Sequence, residues 1–70
     1  MIMEFKLKSD FIELDNLLKA LDLVTSSAEA KQQIQAGAAK VNGLVESRIR
    51  RKLRSGDLVE FDGNTITIVG

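Results

Sequence analysis

The sequence predicts one α+β domain over residues 1–70, with two helices among several short strands. Three observations predict it. Apolar and polar residues alternate near both ends, with Phe5 and Leu7 sharing one face of Met3–Lys8 and Ile66 and Ile68 one face of Thr65–Val69. Leu14, Leu17, Leu18 and Leu21 recur at i, i+3, i+4 and i+7, the spacing of a helix with one buried face. Asn42-Gly43 and Asp62-Gly63-Asn64 are residue types that accept the positive φ of tight hairpin turns.

Each element has its own local signal. Met3–Lys8 is a half-buried strand with Glu4, Lys6 and Lys8 outward, broken by Ser9-Asp10. Asp10 and Glu13, three residues apart, have capping-box spacing ahead of the first helix, and Phe11 extends its apolar stripe. Asp15, Asn16, Lys19 and Ala20 take the polar side. Ser26 and Glu29 form a second capping box. The helix that follows turns Ala30 and Ile34 inward, and Gly37 stands where a left-handed C-cap belongs. Alanines 28, 30 and 36 allow the two helices to approach closely. Ala39, Val41 and Val45 form strands around the Asn42-Gly43 turn, with Lys40 outward. Ser55-Gly56-Asp57 is a turn. Leu58–Phe61 is a strand with Val59 and Phe61 inward, and Thr65–Val69 is the last strand.

Composition narrows the chemistry. The 70 residues include no cysteine and no histidine, which removes disulfides, thiolate metal sites and the usual neutral-pH acid–base group. No Ser-x-x-Lys, phosphate loop or carboxylate pair is present. No metal site, cofactor or catalytic residue is therefore expected, and the chain is read as not an enzyme. No apolar run approaches a membrane span and no signal peptide is visible, so the expectation is a cytoplasmic protein.

The formal net charge of zero hides segregation. Residues 1–30 hold six acids against three lysines, residues 31–54 seven bases against Glu46, and residues 55–70 three acids and no base. The centre of the positive potential is the stretch Lys40–Arg54, in which Arg48, Arg50, Arg51, Lys52 and Arg54 are five of seven consecutive residues. Glu46 can partner only one or two of them, and the others would repel one another unless an anion is bound. Four of the five are arginine, the better residue for forked phosphate contacts, and nucleic-acid phosphate is the commonest large anion. An extended segment would put Arg48, Arg50 and Lys52 on one face with Ile49 and Arg51 opposite, and Leu53 would anchor the segment in the core. The chain has no Tyr or Trp, and Phe5, Phe11 and Phe61 are all expected in the core. Readout of a nucleic acid would then rest on phosphates, sugars and shape, with little sequence readout.

Leu14-Asp15-x-x-Leu18, then Ser26, Ala30, Ile34 and Gly37, then Lys40-Val41-Asn42-Gly43, then Gly56-Asp57-x-Val59 together resemble the S-four RNA-binding domain, the family of ribosomal small-subunit protein four. The run from Glu46 through Arg48, Arg50 and Lys52 to Gly56-Asp57 is most similar to its small stand-alone bacterial members, the YbcJ-like group. The resemblance covers Leu14 to Phe61. It implies two helices packed on a small, bent, mostly antiparallel sheet, the alpha-L RNA-binding motif. It also implies an RNA-facing surface with Lys31, Lys40, Asn42 and Gly43 on the helix-turn-strand unit, joined by Arg48, Arg50, Arg51, Lys52 and Arg54 on the basic loop. Asn42-Gly43 is needed for the turn in any case. Glu13 and Ser27 stand where the family often has arginine, which shifts the expected weight onto the loop.

The functional expectation is a monomeric, non-catalytic binder of structured RNA such as ribosomal RNA or an assembly intermediate, with a ribosomal or assembly protein as a further partner. The alternative is a protein-interaction adaptor whose basic loop meets an acidic partner.

Overall fold

A computed structural model describes residues 1–70. In chain order the elements are β1 (Ile2–Lys6), β2 (Ile12–Glu13), α1 (Leu14–Ala20), α2 (Ser27–Gln35), β3 (Ala39–Val41), β4 (Leu44–Val45), β5 (Lys52–Leu53), β6 (Leu58–Phe61) and β7 (Asn64–Val69). Two helices pack on a five-stranded sheet of order β1-β7-β6-β3-β4, and β2 and β5 form a separate two-stranded ladder. All pairings are antiparallel except β1 with β7, which brings the two ends of the chain together. The predicted α+β architecture is the observed one.

The core lies between helices and sheet. Leu14, Leu17 and Leu18 of α1, Ala30 and Ile34 of α2, and Val41, Val59, Phe61, Ile66 and Ile68 of the sheet are buried, as the two periodicities require. Leu53 of β5 joins the same cluster with no exposed surface. Met3 and Phe5 on the inward face of β1, and Leu7 just beyond it, are half-buried against it.

The turns obey residue chemistry. Asn42 (φ +53°) and Gly43 (φ +85°) form the two-residue β3–β4 turn, in which both residues must be left-handed. Asp62 (φ +50°) and Gly63 (φ +79°) do the same between β6 and β7, so Asn64 opens the strand instead of ending the loop. At the end of α2, the Gly37 amide donates to the Ile34 carbonyl and the Ala38 amide to that of Gln33, the paired bonds of a Schellman cap. Ser26 caps α2, its hydroxyl accepting from the Glu29 amide at 3.1 Å. The Glu29 carboxylate reaches back one residue further than a capping box requires, to the Thr25 amide at 2.9 Å.

Three expectations fail around α1. The Asp10–Glu13 capping box does not form, because Glu13 is the N-cap and makes no side-chain capping bond. Ile12 and Glu13 are committed to pairing with Leu53 and Lys52. The first helical amides are satisfied from a distance instead: Leu14 N–H donates to the Arg51 carbonyl at 2.9 Å and Asp15 N–H to the Ile49 carbonyl at 3.1 Å. Phe11 does not top the apolar stripe either. It lies outside the core cluster and its packed fringe, half-exposed at the start of the β2–β5 ladder. Finally, the segment from Arg48 to Lys52 is not extended. Ile49-Arg50 is a turn, with the Arg51 amide 3.4 Å from the Arg48 carbonyl.

Candidate nucleic-acid interface

The basic segment is held by backbone and core before any side-chain charge is considered. The carbonyls of Ile49 and Arg51 accept the free amides of α1. Ile49 packs against the core, Leu53 is fully buried, and β5 pairs with β2. A run of arginines that would repel one another as a free loop is thereby fixed as a turn on the surface.

Glu46 organises its charge. Its residue surface is only 8% exposed, and it is the one buried charged residue. Its carboxylate accepts four hydrogen bonds: at Oε2 from the Arg48 amide (3.0 Å) and Nε (2.9 Å), and at Oε1 from Arg48 Nη2 (3.0 Å) and Arg51 Nη1 (2.7 Å). A buried carboxylate is tolerated when its acceptor positions are filled in this way. The Arg48 side-chain fork holds its carboxyl well below the usual range, at about 2, against the opposing effect of burial; the Arg48 amide and Arg51 assist. Arg48 remains 72% exposed while so tethered, whereas Arg51 is 29% exposed. The guanidinium of Arg48 is in turn pushed up by the Glu46 contact, so its charge is secure.

A second brace ties the two turns that flank the basic segment. The Asn42 side chain donates to Asp57 Oδ1 at 3.0 Å and accepts from the Leu58 amide at 2.9 Å. Asp57 Oδ2 accepts from the Arg54 amide at 2.9 Å. Burial pushes the Asp57 carboxyl up, but the Arg54 amide, the Asn42 amide and the nearby charges of Arg51 and Arg54 outweigh it and leave it below its usual range.

Arg48, Arg50, Arg51 and Lys52 come together around one shallow concavity of about 470 Å³. The structure holds two ion pairs, both on Glu46, so Arg50, Lys52 and Arg54 have no acid within 4.0 Å. Lys31 and Arg50 both line an adjoining groove, together with Lys19, Glu13 and Asp15. Arg54 stands beside Lys52 on the outward side of the β2–β5 ladder. Lys40 is not part of this assembly; it borders a depression shared with Glu60 and Asp62. Asn42 has its side chain engaged in the brace, and Gly43 faces open space. Sequence reasoning placed Glu46 near the cations but did not foresee its burial, and it set Phe11 in the core at the top of the α1 stripe, whereas the ring stands outside the core. Phe11 turns outward because its neighbour Ile12 turns inward opposite Leu53, a pairing that no local pattern reveals.

Fold and site define a small α+β module that presents fixed, partly unpaired cations beside a buried carboxylate brace. The chain belongs to the S4 domain family, whose model matches residues 5–69. It is 40% identical over 62 residues, 89% of either chain, to the Escherichia coli (strain K12) protein named "Putative RNA-binding protein YbcJ". The same identity and coverage hold for a Shigella flexneri protein named "Uncharacterized protein YbcJ". Among solved structures it is similar to the solution structure of Escherichia coli YbcJ, with a TM-score of 0.72 and 40% identity, covering 96% of this chain and 86% of that one. That structure was described as revealing an alpha-L motif involved in RNA-binding. No helix here is long and apolar enough to cross a membrane.

Proposed function

We propose that this chain is a non-catalytic module that binds structured RNA, ribosomal RNA among the candidates, through the basic turn and the adjoining groove. The observation that carries the reading is the set of cations left without acid partners, Arg50, Lys52 and Arg54, on a backbone anchored by α1 and the core. Arg48 and Arg51 add positive charge in a fixed orientation, and Lys31 extends it across the groove. Relatives named or described as RNA-binding support the same assignment. Lys40 lies by Glu60 and Asp62 and has little share in it, while Asn42 and Gly43 contribute by shaping the turn. Phosphate and sugar contacts position an RNA without naming its sequence.

The test is RNA recovery after crosslinking in cells, comparing the native chain with an Arg50→Gln, Lys52→Gln, Arg54→Gln variant. These three positions avoid the Glu46 brace, so folding is expected to survive. The native chain should recover a defined structured RNA that the variant loses. In vitro, neutralising about four phosphates gives a log–log salt slope of roughly −3 to −4. A flat salt response would sink this reading, and a captured partner that stays bound after RNase would favour the acidic-protein adaptor.

A further inference from the structure

Phe11 is the one aromatic residue outside the core and its fringe. The reason lies in the β2–β5 ladder. Ile12 opposes Leu53 and both turn inward, so the residues on either side of them turn outward. Continuing that register sets Phe11 opposite Arg54, next to the pair Glu13 and Lys52. The cations reach the ring: Lys52 Nζ is 4.9 Å from the ring centroid and Arg54 Cζ is 5.7 Å.

Lys52 is the link. It stands over Phe11 and also lines the basic concavity beside Arg48, Arg50 and Arg51. The chain therefore sets a cationic concavity and a half-exposed aromatic ring side by side, with Lys52 shared between them. A nucleotide has the same two parts, an anion and a flat π-system. A lone aromatic on a surface needs no explanation. A ring continuous with a cluster of unpaired cations matches how unpaired bases are held on aromatic and guanidinium planes.

We propose that Phe11, with Arg54, forms a stacking seat for one unpaired nucleobase of a folded RNA whose neighbouring phosphates occupy the basic concavity. This rests on the RNA-binding reading above and deepens it. Lys52 is a flexible, exposed cation, and its contact with the ring exchanges readily for a contact with phosphate, which frees the ring for the base. The planar guanidinium of Arg54 supplies a second stacking surface. Stacking of this kind accepts any base, so the seat selects for an interruption in a helix, a bulge or a loop nucleotide, and not for a sequence. The sequence expectation that all three phenylalanines lie in the core fails at Phe11, and that is where the ring becomes available for stacking.

The experiment uses three RNA probes: a short stem with a single bulged adenosine, the same stem with an abasic bulge, and the fully paired stem. The full chain should bind the bulged stem at least about five-fold more tightly than the abasic one. Phe11→Leu keeps the apolar bulk and removes the ring. It should erase that ratio while leaving affinity for the paired stem and the salt slope unchanged. The chain has no Trp or Tyr, so Phe11→Trp, checked for native circular dichroism, places a single fluorophore in the seat. Its emission should respond to the bulged stem and not to the abasic one. This second variant decides the question if Phe11→Leu does not fold. Equal binding of all three RNAs, or an equal Trp response to both bulged probes, overturns the stacking seat and leaves RNA binding standing. Failure of the native chain to bind any of the three at low salt overturns both.

Discussion

Arg51 Nη1 lies 2.7 Å from Glu46 Oε1, on a carboxylate that also accepts the side-chain fork and amide of Arg48. The single acid of the basic stretch thus works from beneath the surface. It orients two arginines and leaves the other cations of the cluster free.

Glu46→Gln keeps the size of the side chain and removes its charge. The neutral amide cannot accept all four bonds, and its NH₂ meets guanidinium donors. The expected cost is about 1–3 kcal/mol, read from urea unfolding at neutral pH. The basic turn should also lose amide protection in hydrogen exchange from Arg48 to Arg51, although the variant is formally more positive.

The same carboxylate gives the stability a defined acid limb. Its folded pKa, about 2, lies below the unfolded value of about 4.3. A lowered folded pKa means that the unfolded chain binds more protons between the two values, so stability falls as pH falls through that window. Asp57 is shifted in the same direction. Urea midpoints should be flat from pH 7 to about 5, decline toward pH 2, and decline less steeply in Glu46→Gln.

Asn42 joins turns that lie 15 residues apart in sequence. Asn42→Gly removes its two side-chain bonds and keeps the freedom to adopt a φ of +53°. It should lower stability by about 1–2 kcal/mol. Asn42→Ala removes the same bonds but, unlike glycine, keeps a Cβ in the left-handed region without the polar side chain that lets asparagine tolerate it, so it should lose about 1–2 kcal/mol more than Asn42→Gly. Denaturant unfolding of both variants separates the brace from the turn. Equal losses would mean that the backbone conformation is not strained.

Leu53 is fully buried, and it ties the basic segment to the core through a strand of two residues. Leu53→Ala should cost about 2–5 kcal/mol. Against roughly 4–10 kcal/mol for a chain of this length, that loss takes a large share of the total. Thermal unfolding followed by circular dichroism should show a markedly lower midpoint, and limited proteolysis should cut first between Arg48 and Arg54.

The periodicity of Leu14, Leu17, Leu18 and Leu21, the Ser26 cap, the Gly37 C-cap and the Asn42-Gly43 turn were legible because each signal is carried by residues within a few positions of one another. So was the concentration of positive charge from Arg48 to Arg54. What lay beyond reach depended on partners far apart in the chain. The α1 cap comes from carbonyls more than thirty residues later. Phe11 faces outward because Ile12 pairs with Leu53, and no local pattern reveals that pairing. That Glu46 partners one or two of the bases was legible, but its burial, with Arg48 and Arg51 filling its acceptor positions, depended on the folded chain. Local chemistry set the elements and the charge, because caps, turns and periodic faces are short-range. Long-range pairing and burial chose which cations are braced, which are free, and which aromatic stands beside them.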